Sequence, residues 1–319
     1  MAYVKTSGNH NGSGPSAPRI PEWKLKEQMC DIGRRIWLKG FCAGNEGNHS
    51  YRLSEDRILC TPTGISKGQL KPDDLCVVDM EGKQVSGRRG RTSEILLHLF
   101  IYKNRPDVRA VIHSHPPHAT AFAIAGMELP TCIHPEAEVF LGRVPTAQYV
   151  TPGDTRLGET LAPFVKEANT ILLSNHGTVS FDKSLEDAYY KLEIVDAYAR
   201  ILILGKQLGS VQTLSNDEMK ELLGLKARFG MSDSRLTKDG KLQGLSCAGD
   251  FLSRVGGEVA TRGRMCVPGG TAPIDGPSAA PQPAGAMDQA IASLTPDNFS
   301  EDDIEQLVQV ITDQIMATA

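Results

Sequence analysis

No apolar run approaches the roughly 18 residues that a membrane-spanning helix needs. The stretch Met1–Pro18 is polar and Gly/Ser-rich and lacks the apolar centre of a secretory signal. There is no C-x-x-C pair: seven cysteines (30, 42, 60, 76, 132, 247, 266), an odd number, lie far apart in the chain. That spacing argues against a disulfide framework or a cysteine zinc site, and the expected compartment is a reducing cytosol. Neither charge sign dominates. Lys and Arg number 34 against 38 acids, a net charge of −4, so no global basic surface invites nucleic acid. Nor is there an internal repeat. What remains is 319 residues, 40% hydrophobic and 23% charged, an ordinary soluble composition. That length suits one large domain with extensions or two smaller domains, either able to bury a sizeable core.

Five zones follow from local composition. Residues 1–20 read as a disordered leader. Residues 21–230 alternate helical and strand patterns with short turns, which predicts an α/β domain. Within it, Leu25, Met29, Ile32 and Ile36 predict a helix over Glu22–Lys39. Strands are expected at Asn48–Arg52, Arg57–Cys60, Leu75–Asp79, Val108–His113 and Thr170–Leu173. Two more helices are expected at Glu94–Asn104, capped by Thr92 or Ser93, and at Leu185–Leu204. Residues 231–267 carry scattered glycines and little periodicity. Residues 268–296 begin with a segment, Pro268–Ala286, in which 14 of 19 residues are Pro, Gly or Ala. Such a segment buries too little apolar surface to offset the entropy of ordering it, and reads as a linker. Residues 297–319 predict a short amphipathic helix with Ile304, Leu307, Val308, Ile311 and Ile315 on one face. Ser300-Glu301-Asp302-Asp303 heads it with acid in the first turn. From Met287 onward there are seven acids and no Lys or Arg.

His113 and His115 form H-x-H at the end of a β-branched run. Residues two apart on a strand project from one face, so both imidazoles can reach one metal about 2 Å from each ring nitrogen. His176 ends a separate strand and precedes Gly177, where the backbone can turn sharply. Three histidines with an open fourth position suit a Lewis-acid centre, although lone histidines more often carry no metal. His118 reads as a neighbour of this group, and His10, His49, His98 and His134 form no pattern of their own. Thr92 and Ser93 stand at a helix N-terminus, which favours an anion such as phosphate, and Glu94 is a first-turn acid. The turns Gly44-Asn45-Glu46-Gly47-Asn48 and Thr61-Pro62-Thr63-Gly64 could add further N–H groups.

In chain order, G-N-H-S-Y-R, T-P-T-G-I, T-S-E-I-L-L-H, A-V-I-H-S-H-P-P-H-A and L-L-S-N-H-G span residues 47–177. This ordered set resembles the class II aldolase/adducin family, and the likeness runs over residues 21–230. The resemblance implies an αβα sandwich around a mostly antiparallel sheet, a homotetramer with sites at subunit interfaces, and a zinc ion. Matched position by position, it implies zinc ligands at His113, His115 and His176, with Glu94 able to join them when substrate is absent. It implies phosphate contacts at Asn48, Thr63, Gly64, Thr92 and Ser93, and a catalytic acid/base at Glu94. Sugar-phosphate 4-epimerases of the family carry Asp at the position of Glu94, and adducin-like members lack the histidines. The implied activity is therefore a carbon–carbon lyase. It would cleave a 6-deoxyketohexose 1-phosphate, L-fuculose or L-rhamnulose 1-phosphate, to dihydroxyacetone phosphate and lactaldehyde. An epimerase, a methylthioribulose-phosphate dehydratase or a non-catalytic scaffold are the alternatives. At two positions where the fuculose-phosphate aldolases place tyrosines near the C4 hydroxyl, this chain has Pro135 and Phe229; Tyr149 lies nearby in sequence.

The Pro/Ala/Gly linker and the helix after it resemble the encapsulation peptides that dock enzymes to bacterial microcompartment shells. That likeness implies a shell protein as partner and a place inside a microcompartment. Membrane binding is disfavoured, because a tail of charge −7 is repelled by anionic lipid.

Overall fold

A computed structural model of the chain describes residues 20–245 except 155, 229, 232 and 238, together with Phe251 and the backbone of Glu258–Ala260. These belong to a compact unit of residues 1–263; a second unit, 264–319, lies outside the described residues. The expected linker and amphipathic helix therefore fall outside them, as do Phe229 and the leader before residue 20.

The chain opens with α1 (Glu22–Leu38), whose buried face is Leu25, Met29, Ile32 and Ile36. Strands β1 (Asn48–Arg52), β2 (Ile58–Cys60), β3 (Cys76–Val78) and β4 (Gln84–Ser86) follow. Next come α2 (Ile95–Asn104), β5 (Ala110–Ser114), α3 (Pro117–Ala125), a π-helical turn at Ala137–Leu141, β6 (Thr146–Ala147) and α4 (Arg156–Glu159). The hairpin β7 (Thr170–Leu173) and β8 (Gly177–Asp182) leads into α5 (Leu185–Gln207), β9 (Ser210–Gln212), α6 (Asn216–Arg228) and β10 (Glu258–Ala260). Eight strands form one sheet in the order β4-β3-β2-β1-β5-β8-β7-β6. Every pairing in it is antiparallel except β6 with β7.

Strand alternation sorts the core onto two faces. Val111 of β5 and Val179 and Phe181 of β8 pack with Ile95, Leu97 and Leu99 of α2 and Leu157 of α4. Ala110 and Ile112 point the other way, toward α1 and the start of α5. The result is the expected helix–sheet–helix sandwich. It also fixes the chemistry, because His113 shares the parity of Val111 and so faces the α2 side of the sheet.

The strands at Asn48–Arg52 and Thr170–Leu173 coincide with expectation. The second helix differs at its start: Glu94 occupies the cap position, and Thr92 Oγ1 accepts from Glu94 N at 3.3 Å instead of capping the helix itself. β8, α3 and α6 had no counterpart in the sequence reading. Strand pairing also brings Cys60 opposite Cys76 with Sγ atoms 3.5 Å apart, both as free thiols, despite their separation in sequence. Among the described residues no helix is long and apolar enough to cross a membrane.

Candidate metal centre

Three sheet-end positions converge. His113 is the fourth residue of β5 and His115 follows just after it; β8 lies alongside, pairing His113 with Val179 and Ser114 with Thr178. His176 sits in the tight turn joining β7 to β8, where Asn175 takes a left-handed φ of 54°. Gly177 follows because nothing larger fits: a Cβ there would lie 2.5 Å from His115 Cδ2 and 2.7 Å from Ser114 O. The ligand nitrogens of the three histidines lie within 4.8 Å of one another. Their ring centroids are 4.6–5.0 Å apart.

Glu94 brings a carboxylate to the same point. Its Oε2 is 3.3 Å from His113 Nε2 and its Oε1 is 3.5 Å from His176 Nε2. Burial raises the cost of ionising this carboxyl, but His113, His176 and the Asn48 amide outweigh that and hold it below the usual carboxylate range. Burial pushes His176 down to about 4 and also lowers His115, so both imidazoles are neutral near pH 7.

Second partners set the tautomers. His113 Nδ1 donates to the Thr178 carbonyl at 2.9 Å, which turns its Nε2 toward Glu94. His115 Nδ1 lies 3.2 Å from Glu46 Oε2, and its Nε2 is 3.2 Å from His113 Nε2. Glu46 is held in turn by the Gly44–Gly47 loop. The buried Lys67 Nζ donates to Asn45 O at 2.8 Å and to Ile65 O at 2.7 Å, and Ala43 N donates to Glu46 Oε1 at 2.7 Å.

Imidazole nitrogens and carboxylate oxygens therefore crowd one small volume. Glu94 Oε1 is buried there and accepts no hydrogen bond among the described residues. A divalent cation satisfies this donor set: three imidazole nitrogens and one carboxylate oxygen are the ligand types and number of a four-coordinate zinc site. His118 is outside the group. Its Nδ1 lies 2.9 Å from Asp196 Oδ2, and its backbone N–H donates to Asp196 Oδ1.

The expected phosphate positions lie next to Glu94. Thr63 N donates to Gly90 O at 3.0 Å and Thr92 N donates to Thr61 O at 3.1 Å, so the loop after β2 is stitched to the loop before α2. Thr63, Gly64 and Ser93 are exposed there, Thr92 is buried, and Gly64 takes a φ of 73° with nothing within 4 Å of an added Cβ. Asn48 is placed differently from an open contact. It is 5% exposed, and its Nδ2 donates to Glu94 Oε2 at 2.8 Å. Pro135 is exposed and Tyr149 is 55% exposed.

Residues 27–203 match the family described as Class II Aldolase and Adducin N-terminal domain. The chain is similar to a 3-oxo-tetronate 4-phosphate decarboxylase of Pectobacterium atrosepticum, 33% identical over 221 residues that cover 68% of this chain and 99% of that protein. It is likewise similar to an L-fuculose phosphate aldolase of Methanocaldococcus jannaschii, 35% identical over 179 residues, 56% of this chain and 96% of that one. A solved L-fuculose 1-phosphate aldolase superposes with a TM-score of 0.60 at 28% identity, covering 67% of this chain and 100% of the other.

Proposed function

The chain belongs to the class II aldolase and adducin family and is a carbon–carbon lyase, and we propose that its substrate is a 6-deoxyketohexose 1-phosphate. The observation that carries this reading is the buried Glu94 carboxylate set against three convergent histidines, at the helix terminus beside the Thr63–Gly64 turn. Products would be dihydroxyacetone phosphate and lactaldehyde, from either L-fuculose or L-rhamnulose 1-phosphate.

His113, His115 and His176, with Glu94 when no substrate is present, would hold zinc, which supplies Lewis-acid polarisation of the ketose carbonyl. Thr63, Gly64, Thr92 and Ser93 would bind the phosphate at the N-terminus of α2, where backbone N–H groups and the helix dipole favour an anion. Cleavage of the C3–C4 bond leaves an enediolate whose C3 must gain a proton, while the C4 hydroxyl must lose one. Glu94 serves the C3 end, because its Oε1 is the carboxylate oxygen without a hydrogen bond. The C4 hydroxyl needs a carrier other than residue 135, since Pro135 has no proton to exchange.

Pro135 favours a second reading. Loss of carbon dioxide from a 3-oxo acid phosphate leaves the same enediolate and removes no proton from a C4 hydroxyl. The similarity to 3-oxo-tetronate 4-phosphate decarboxylases is consistent with it. One experiment separates the two. Zinc-loaded protein is offered L-fuculose 1-phosphate, L-rhamnulose 1-phosphate and 3-oxo-tetronate 4-phosphate, and dihydroxyacetone phosphate is followed by coupled NADH oxidation. Chelator-sensitive release from a ketose phosphate, with lactaldehyde, is the expected result. Release from the oxo acid alone replaces the aldolase by the decarboxylase, and release from none overturns both.

The pattern of residues 268–319 supports a further part of the proposal, docking to a microcompartment shell protein. A shell would confine the reactive lactaldehyde. Removing residues 268–319 should abolish co-sedimentation with intact shells; retention would reject the docking role. A homotetramer is the proposed assembly, checked by light scattering.

A further inference from the structure

Behind Glu94 lies a hydrogen-bonded chain that the lyase chemistry does not touch. Asn48 Oδ1 is 2.5 Å from His98 Nε2, His98 Nδ1 is 2.7 Å from Ser50 Oγ, and Ser50 Oγ is 2.9 Å from Tyr102 OH. His98, Ser50 and Tyr102 are buried, at 0–1% exposure. Elements from both layers build it. Asn48 and Ser50 are two apart on β1 and share its α2-facing side, while Glu94, His98 and Tyr102 recur every fourth residue along one face of α2.

The direction of every bond is dictated from one end. An ionised Glu94 only accepts, so Asn48 must present Nδ2 to it and Oδ1 to His98. A carbonyl oxygen only accepts, so His98 carries its proton on Nε2. Buried with no carboxylate hydrogen-bonded to it, His98 is neutral, its pKa pushed down to about 3 by burial and then by His113. Its Nδ1 is therefore an acceptor, and the Ser50 hydroxyl must donate to it. That leaves Tyr102 to donate to Ser50 Oγ at 2.9 Å, in preference to the Arg109 carbonyl at 3.4 Å. Four groups thus point their protons one way, from Tyr102 through Ser50, His98 and Asn48 to Glu94 Oε2.

We propose that His98 is a positioning residue that, with Ser50 and Tyr102 behind it, locks the Asn48 amide so that Glu94 Oε2 is held as an acceptor and Oε1 alone is left to carry the proton. This rests on the lyase reading of Glu94. With the amide locked, the carboxylate cannot rotate to exchange its oxygens, and Oε1 keeps its place between the histidines and the substrate. Reversing the His98 tautomer would turn Asn48 Oδ1 against Oε2, two acceptors in contact. The relay therefore excludes that state in the resting protein.

The tests separate this chain from mere space-filling. His98→Gln keeps an N–H for Asn48 and a carbonyl for Ser50, whereas His98→Leu keeps volume alone. Glutamine should retain kcat within about threefold and leucine should lose about 10–100-fold, with zinc content and substrate KM unchanged in both. Ser50→Ala and Tyr102→Phe, milder changes should the leucine variant fail to fold, should lower kcat by about 3–10-fold at unchanged KM. A readout independent of turnover is the imidazole signal of ¹⁵N-histidine-labelled wild-type protein, which should show His98 as the Nε2–H tautomer with a slowly exchanging proton. A leucine variant equal to wild type in kcat, alanine and phenylalanine variants without effect, or an Nδ1–H tautomer would each overturn the relay. Absence of lyase activity in the wild type, with the Nε2–H tautomer present, would instead overturn the function proposed for Glu94 and leave the hydrogen-bond chain standing.

Discussion

Gly177 lies against the His115 imidazole so closely that a single methyl group on its Cα would stand 2.5 Å from His115 Cδ2. The place of His115 in the candidate metal centre thus depends on a residue with no side chain. Gly177→Ala must push His115 or the Ser114 carbonyl aside, and Ser114 is part of a central strand. Zinc affinity should fall by at least about tenfold, comparable to losing an outer partner of a ligand. Equilibrium dialysis against a zinc indicator measures it, and unchanged affinity would show that the turn gives way freely.

Glu46 holds His115 by its Nδ1 edge at 3.2 Å. Such a carboxylate fixes the ring and strengthens the other nitrogen as a ligand. Glu46→Gln keeps the shape and drops the charge, so zinc should bind about 10–100-fold more weakly while the protein stays as stable as before. Titration with zinc, alongside a urea melt, reads both quantities.

Removing the ligand and removing the acid/base should leave different signatures. His113→Ala should lose the metal and all turnover. Glu94→Gln should keep the metal and lose about 10²–10⁴ in kcat. Metal analysis of the two purified variants, with the coupled assay, decides it. Near-wild-type turnover in either would move the chemistry elsewhere.

Burial pushes His98 to about 3 and His49 to about 4, against an unfolded value near 6.5. Facing His98 are His113, Glu94 and His49; facing His49 are the Met29 carbonyl and Lys67. Below about pH 6.5 the unfolded chain takes up protons that the folded one refuses, so stability is complete above that pH and declines as pH falls. Each histidine contributes a slope of about 1.4 kcal/mol per pH unit near pH 5. Urea denaturation from about pH 6 to pH 4.5 should therefore show a slope about 1.4 kcal/mol per pH unit smaller in His98→Gln than in wild type. Parallel slopes would mean that His98 is protonated in the fold.

Glu138 and Arg235 form a buried ion pair, with Asp233 and Lys226 completing the cluster; Lys226 Nζ is 2.8 Å from Asp233 Oδ2. The cluster ties the residues after α6 to the π-helical turn. Arg235→Ala would leave Glu138 unpaired at 2% exposure, and should cost about 3–5 kcal/mol in a urea melt. A loss under about 1 kcal/mol would mean that water reaches the carboxylate.

β alternation made it legible that H-x-H at a strand end can turn two rings to one face, and the ordered set of motifs made the three histidines specific. From its place ahead of an apolar helix Glu94 reads only as a first-turn acid, and its candidate role comes with the family resemblance. Glu46 was not, since it reads as a turn residue until Lys67 pins its loop from the other side of β2. His98 had a signal that went unused. Glu94, His98 and Tyr102 at intervals of four, and Asn48 and Ser50 at an interval of two, are polar residues on faces that should be apolar. The helix α3 escaped because Pro116-Pro117 reads as a terminator, although Pro117 opens it. α6 escaped because its buried set is small, with Met219 and Leu223 as the apolar members.

The bond from His113 Nδ1 goes to a main-chain carbonyl, that of Thr178, and no side-chain replacement deletes a carbonyl. Thr63, Gly64, Thr92 and Ser93, by contrast, lie on loops at residues 61–64 and 90–93, outside the strands. Point mutations can therefore alter the side chains of these loops while the tautomer of the His113 imidazole stays as the backbone sets it. A scaffold divided in this way keeps what the backbone holds apart from what side chains can change.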